Sequence, residues 1–357
     1  MATTEMLATG RVTTGPPVTE GTTTTGLSLL LGEFDRDLFF ARHWERRSLH
    51  LRHGDASRFA DLVSHESFFA REIGRCQHLK ASTRDGDGWN VEVPIRPEQA
   101  EKLFRAGMTI CASVLDEKGP AGRLIDAYRA DVATAAPPHV NCYYSPDGRG
   151  YGLHFDTHPV WIVQVAGRKH WTVSQEPAVV NPPFNVIFPP GRDRVALPWI
   201  TLDRPDVEDA ERFMHVVLEP GDVLYIPAGG WHAARAEGPS LALTLALGRM
   251  GTLDLLEFLV SQTVHRHLRE VTSRLSPLPR AAGDGQHRRD LRVRLDGDLA
   301  RVKALVQRID ADDLLEVYAS LADNPEAVLA SRQFVAAREQ VTMMKSIYAR
   351  APQRGDG

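Results

Sequence analysis

Residues 140–247 constrain the fold most strongly, because short runs rich in Val, Ile, Trp and Tyr are broken there by Pro and Gly clusters at close intervals. β-branched and aromatic side chains fit a pleated, half-buried surface, and Gly and Pro punctuate it. The pattern predicts an antiparallel sandwich or barrel with a β-core at about 140–248. The flanks read differently. Residues up to about 25 are rich in Thr and Gly and hold few large apolar side chains. Such a stretch cannot bury enough surface to offset its ordering entropy, so 1–26 is read as a disordered tail. Residues 35–44 read as a short helix offering Leu38, Phe39 and Trp44 to a core, and 48–52 as a strand. Residues 58–74 and 97–115 read as helical on either side of a Gly/Asp-rich turn at 85–88.

After Gly248 the apolar residues Leu253, Leu256, Val260, Val264, Leu268, Val271 and Leu275 recur at three- and four-residue steps. That is the stripe of an amphipathic helix, with Thr252 as N-cap. Charged turns near 280–290 and the Asn324-Pro325 break then divide the remainder into further helices ending near Tyr348. Residues 250–357 are therefore expected to form a helical C-terminal domain whose stripe packs within the chain or forms a dimer interface.

Composition narrows the function classes. A hydrophobic fraction of 43% over 357 residues is ordinary for a globular enzyme. A formal net charge of -4, from 42 basic and 46 acidic residues, provides no electrostatic case for a nucleic-acid or anionic-membrane partner. Cys76, Cys111 and Cys142 are odd in number and lack CxxC spacing, so neither a disulfide framework nor a cysteine zinc site is indicated. No basic-then-apolar leader pattern is visible, and no apolar run approaches the roughly 20 residues that span a bilayer. The expectation is a cytoplasmic protein.

Two segments carry chemistry. In Tyr151-Gly-Leu-His154-Phe-Asp156-Thr-His158, alternation along a strand would place His154, Asp156 and His158 on one face. In Gly221-Asp222-Val-Leu-Tyr225-Ile-Pro227-Ala-Gly-Gly-Trp-His232, a turn, a buried strand and a second turn fix the direction of a second histidine. Two histidines and one carboxylate on neighbouring strands make a facial triad suited to iron(II), with positions left for a chelating cosubstrate and dioxygen. Zinc is the lesser alternative, since the familiar hydrolase arrangement puts its histidines on a helix. A lone His in a strand is more often a hydrogen-bonded structural residue, and that reading, or a supporting role, is preferred for His158. The run 159–173 reads as two strands joined by a glycine turn at Gly167, with Lys169 entering the second. Pointing inward, an isolated ammonium is costly and a ligand carboxylate is its natural partner; pointing outward, it is merely solvated.

The His154-Phe-Asp156 element and Trp161-Ile-Val-Gln-Val-Ala-Gly-Arg-Lys169-His-Trp171 together resemble the JmjC oxygenases, specifically the cupin-type ribosomal oxygenase branch. Asn141-Cys-Tyr143-Tyr-Ser-Pro146 upstream, Gly221-Asp222…Pro227…His232 downstream and the entry segment 39–52 match as well. The resemblance implies an α+β architecture: a double-stranded β-helix of the cupin or jelly-roll JmjC type, with N-terminal helical and strand elements, occupying 27–249. It implies iron(II) at His154, Asp156 and His232, with 2-oxoglutarate and dioxygen as cosubstrates. Lys169 would pair with the distal carboxylate of 2-oxoglutarate, Tyr143 and Thr244 would line the same pocket, and Asn141 is a weaker candidate. Pro159 and Ala246 depart from the branch's usual residues, and no winged-helix pattern is evident at the end of the chain. The implied activity is hydroxylation of a protein side chain, such as Arg or His of a ribosomal protein, by a homodimer. A biosynthetic peptide, a small metabolite, or a non-catalytic metal-binding cupin module are the alternatives.

Overall fold

The computed structural model describes residues 26–84, 90–115, 117–134, 136–197, 200–267 and 285–323. The proposed N-terminal tail, the tip of the 85–88 turn, the stripe beyond residue 267 and the last expected helix lie outside them. In chain order the described elements are α1 Ser28–Leu31, α2 Arg36–Arg42, β1 Leu49–Leu51, α3 His65–Ala70, β2 His78–Arg84, β3 Asn90–Pro94, α4 Pro97–Arg105, β4 Thr109–Ser113, α5 Gly122–Asp131 and β5 His139–Ser145. There follow β6 His154–Phe155, β7 Val160–Ser174, β8 Val186–Ile187, β9 Arg194–Ala196, β10 Thr201–Asp203, β11 Phe213–Leu218, β12 Val223–Ile226 and β13 His232–Ala246. The helices α6 Thr252–His267, α7 Gly285–Val306 and α8 Ala311–Asp323 come last.

The architecture is the expected α+β one, a cupin-type β-core with helices around it. Two 15-residue strands, β7 and β13, form its spine. They pair antiparallel from Val160 opposite Ala246 to Val173 opposite His232, with a register shift between Glu237 and Leu241. The first half of β7 also pairs with β12 and the second half with β11, so one strand serves both sides of the barrel. Gly167 is thus not a turn between two strands, as its sequence position suggested, but a kink within one. Its φ of +69° is left-handed, and a Cβ there would lie 2.0 Å from the Pro239 carbonyl oxygen, so only glycine permits this approach.

The sheet reaches further than the sequence pattern indicated, in the order β1-β12-β7-β13-β5-β4-β2-β3. Helix is confined to His65–Ala70 and a 3-10 turn at Glu72–Gly74 within 58–74, and to α4 within 97–115. α4 stops because Gly107 takes φ +90°, with Gly107 N donating to the Phe104 carbonyl and Met108 N to that of Leu103. The buried, β-rich Thr109–Ser113 then enters the sheet opposite β2 and β5.

One face of this sheet packs against the N-terminal helices. α2 starts where the Asp35 carboxylate accepts the Leu38 amide at 2.6 Å, a cap worth about 1 kcal/mol. It buries Phe39 against Trp161 (ring centroids 4.9 Å) and Tyr225 (5.0 Å), and Trp44 packs partly buried on the same cluster. Leu38, expected in the core, is instead exposed, because consecutive helical residues point about 100° apart and it is Phe39 that faces the core. The other face lines the barrel interior with Val160, Ile162, Trp171, Val173, Ala234, Ala242 and Ala246. In the C-terminal region, Thr252 is the first helical residue rather than the cap, and Asp254 accepts the Gly251 amide at 2.6 Å. Leu255 and Phe258 pack on Val317, Tyr318 and Leu321, whereas Leu253 is exposed. Among the described residues no helix is long and apolar enough to cross a membrane.

Candidate metal and cosubstrate site

Three side chains converge at one end of the barrel. His154 lies on β6, which pairs residue to residue with His232 at the start of β13, and Asp156 follows in the next turn. A donor atom from each of His154, Asp156 and His232 lies within 4.8 Å of the other two, and the imidazole centroids of His154 and His232 stand 4.0 Å apart. His232 Nε2 is 3.8 Å from Asp156 Oδ2. The strand ends at Phe155, so a turn and not continued alternation brings Asp156 in. His158, predicted on the same face, stands outside the convergent group. Its ring approaches His139 (6.3 Å) and its Nδ1 lies 3.4 Å from Thr157 Oγ1.

The histidines are prepared for an ion. His154 Nδ1 faces the Gly152 carbonyl at 2.7 Å and His232 Nδ1 faces that of Gly230 at 2.9 Å. A carbonyl can only accept, so both Nδ1 atoms carry the proton and both Nε2 lone pairs are free for coordination. Burial and the neighbouring His154 hold the His232 pKa down at about 3, so its ring is neutral across the physiological range. Two imidazole nitrogens and one carboxylate on a β-scaffold are the donor set of a facial triad and fit a divalent first-row ion.

The cosubstrate candidates share the interior face. Lys169, Trp171 and Val173 on β7 stand opposite Ala236, Ala234 and His232 on β13. Asn141, Tyr143 and Ser145 on β5 stand opposite Thr244, Ala242 and Ser240. Register therefore brings Lys169, Tyr143 and Thr244 to the side that carries His232. Lys169 is 3% exposed, donates to Ser145 Oγ at 3.3 Å, and forms no ion pair with any carboxylate among the described residues. Desolvation depresses its pKa to about 8. Its ammonium lies 5.7 Å from the Trp171 ring and 6.0 Å from that of Tyr143, and Trp171 in turn is 6.2 Å from His232. One indole separates the buried cation from the ligand group. Burial pushes the Tyr143 phenol well up, so it stays a neutral donor.

Asn141 supports the backbone instead, because its Oδ1 accepts the amide of Val114, a residue held at φ +56°. Ser145, Gln164 and Trp171 were not singled out from sequence. The signal lay in the period of two, since Trp171 is two residues after Lys169 and Ser145 two after Tyr143. Gln164 is fully buried and donates to Ser240 Oγ at 2.9 Å, extending the polar patch behind Lys169.

Residues 123–255 match the family model described as JmjC domain. Residues 123–255 carry the JmjC domain. The JmjC domain includes the whole convergent group together with Lys169, Tyr143 and Thr244. Among curated proteins, the chain is 27% identical over 297 residues to ribosomal oxygenase 1 of Bos taurus, covering 78% of this chain and 42% of that protein. It is 26% identical over 300 residues to the bifunctional lysine-specific demethylase and histidyl-hydroxylase NO66 of Culex quinquefasciatus, covering 79% and 43%. It is 32% identical over 182 residues to the uncharacterized protein YxbC of Bacillus subtilis, covering 49% and 54%. The chain thus spans less than half the length of the two named oxygenases. Among solved structures, the Escherichia coli ribosomal oxygenase YcfD in complex with cobalt and succinic acid shares the fold at a TM-score of 0.50. The identity there is 19%, covering 80% of this chain and 69% of that one.

Proposed function

We propose that this chain is an iron(II)- and 2-oxoglutarate-dependent oxygenase that hydroxylates a protein side chain, with Arg or His of a ribosomal protein as the substrate class. The observation that carries the reading is the buried Lys169. It is a desolvated ammonium with no carboxylate partner among the described residues, on the same interior face as the two histidines and one indole away from them. An unpaired buried charge costs several kcal/mol unless a ligand neutralises it. A dicarboxylate anchored there at one end and directed at the triad with the other removes that cost. The similarity to ribosomal oxygenase 1 and to NO66 supports the substrate class.

His154, Asp156 and His232 would hold the iron, Lys169 with Ser145 the distal carboxylate, and Tyr143 and Thr244 the pocket wall. When bound, iron(II) would activate dioxygen, the oxidant for C–H hydroxylation, with 2-oxoglutarate giving up two electrons as it is converted to succinate and carbon dioxide. The protein's own work is positional. The two Nδ1–carbonyl hydrogen bonds fix the imidazole directions, and the apolar lining of Val160, Ile162 and Trp171 keeps bulk water from the cosubstrate. The reading is tested by succinate formation from 2-oxoglutarate with iron(II) and ascorbate under air, with ribosomal-protein peptides, biosynthetic peptides and metabolites added separately. Turnover stimulated by a ribosomal peptide is expected. Absence of both 2-oxoglutarate binding and turnover leaves a metal-binding cupin module instead.

Residues 27–249 are proposed as the catalytic unit and 250–357 as a helical domain that pairs two copies in the cytoplasm. Exposed Leu253, Val293, Leu299 and Leu315 on the described C-terminal helices support such pairing. A dimer is expected by sizing chromatography with light scattering at micromolar concentration, and a monomer alone there would sink it.

A further inference from the structure

A third apolar cluster lies apart from the helix-packed core and from the barrel interior. It holds Phe155, Val186, Phe188, Phe213 and Trp231, built largely from the segment between β7 and β11. Phe155 stands between His154 and Asp156, and Trp231 immediately precedes His232. Both are essentially buried, and their rings meet at 4.6 Å. We propose that this Phe155–Trp231 pair, held in the cluster of residues 175–213, is a positioning clamp that sets the mutual orientation of the three metal ligands. The proposal rests on the metal reading above.

Neighbouring side chains on an extended backbone point to opposite sides, so seating Phe155 and Trp231 in one pocket directs His154 and His232 together to the other side. A rotation of either segment that moved its ligand would have to withdraw a large aromatic from a packed cluster. The backbone is tied at the same places. Phe188 N donates to the Leu153 carbonyl at 2.8 Å, Ile187 pairs with His154, and Asn185 Oδ1 accepts the Thr157 amide at 2.7 Å. Gly229 N donates to the Asp156 carbonyl and Ala178 N to that of Gly229, both at 2.9 Å. Gly229 has φ +77°, and a Cβ there would stand 1.9 Å from the Val179 carbonyl oxygen, so both ligand-bearing loops meet the segment at a point only glycine fits. Arg204 closes the outside, its guanidinium 4.6 Å from the Phe188 ring and donating to the carbonyls of Pro189 and Arg192. None of the cluster's side chains offers a metal donor, so its effect on the ion passes through ligand orientation.

The test titrates the full chain with cobalt(II), following the metal's visible absorption bands for affinity and coordination geometry, with circular dichroism to establish folding. Phe155→Ala is expected to weaken cobalt binding roughly 10–100-fold, as loss of ligand orientation does elsewhere, and to shift the bands. Trp231→Phe, which keeps an aromatic ring, should leave affinity within a few-fold of the wild type. Asn185→Ala removes one backbone tie with little change of volume and is expected to weaken binding about 10-fold, which serves if Phe155→Ala does not fold. Phe68→Ala, in the helix-packed core, should leave affinity and spectrum as in the wild type. Folded Phe155→Ala or Asn185→Ala protein with wild-type affinity and bands would overturn the clamp alone. Failure of the wild type to bind cobalt would overturn the metal reading and the clamp with it.

Discussion

Alanine at His154 or at His232 is expected to abolish metal binding and 2-oxoglutarate turnover together, by more than the roughly 10–100-fold that losing a hydrogen-bonded supporter of a ligand costs. Each histidine offers one free Nε2 to the same point, and two donors cannot fix an ion as three do. His232→Ala should also change the acid stability of the metal-free protein. His232 has a folded pKa of about 3 against an ordinary 6.5, chiefly because burial disfavours its charged form. Between those values the unfolded chain binds the extra proton. The stability this group contributes is therefore present above about pH 6.5 and is lost progressively as pH falls towards 3. His232→Ala should flatten that part of a urea-denaturation profile against pH, although the cavity lowers its stability overall. An unchanged acid slope, or a His232→Ala protein that still binds iron(II) like the wild type, would contradict the assignment.

The second large effect has two opposite signs. Lys169→Met is expected to weaken 2-oxoglutarate binding by roughly 10²-fold or more, because breaking a buried charge pair costs about 3–5 kcal/mol. The same change is expected to stabilise the cosubstrate-free protein. Burial lowers the Lys169 pKa from 10.5 to about 8, which corresponds to roughly 3 kcal/mol of penalty for holding the ammonium in the folded state. Methionine fills a similar volume without that charge, at the loss of one hydrogen bond to Ser145. The pH dependence follows from the same shift. Between about pH 8 and 10.5 the unfolded chain holds the proton and the folded one does not, so wild-type stability rises with pH across that window and Lys169→Met lacks the rise. Cosubstrate affinity should fall in the wild type above about pH 8, as the ammonium is lost. Isothermal titration with 2-oxoglutarate and thermal denaturation, each across that range, check both halves. A variant less stable than the wild type in the absence of cosubstrate would contradict the penalty, and unchanged affinity would contradict the pairing.

The convergent group of His154, Asp156 and His232 was legible in the sequence because its members sit in short segments with strong local determinants. Glycines and prolines frame His232, and the His154-Phe-Asp156 spacing is compact. Lys169 was legible as an anomaly, a lysine inside a strand. The sequence left its direction open, since inward and outward strand positions differ by a single residue of register. Thr244 and Tyr143 were carried by resemblance alone, and the pairing of Thr244 with Asn141, and of Tyr143 with Ala242, then put them on the interior face. Thr109–Ser113 was read as helix because nothing in one sequence announces that Gly107 will turn left-handed and release the next residues to a distant partner.

Local chemistry thus determined which residues make up the candidate site: the donor types, the turn glycines, the β-rich texture and the break into helix after Gly248 are properties of neighbours in sequence. Only the tertiary structure decided what those residues face. Burial of Lys169 without a carboxylate, the convergence of His154 on His232 and the meeting of Phe155 with Trp231 depend on contacts between strands far apart in the chain. Such contacts follow from sheet register and from the kink at Gly167, which no local propensity encodes, because both are set by how two 15-residue strands bury their surfaces at once.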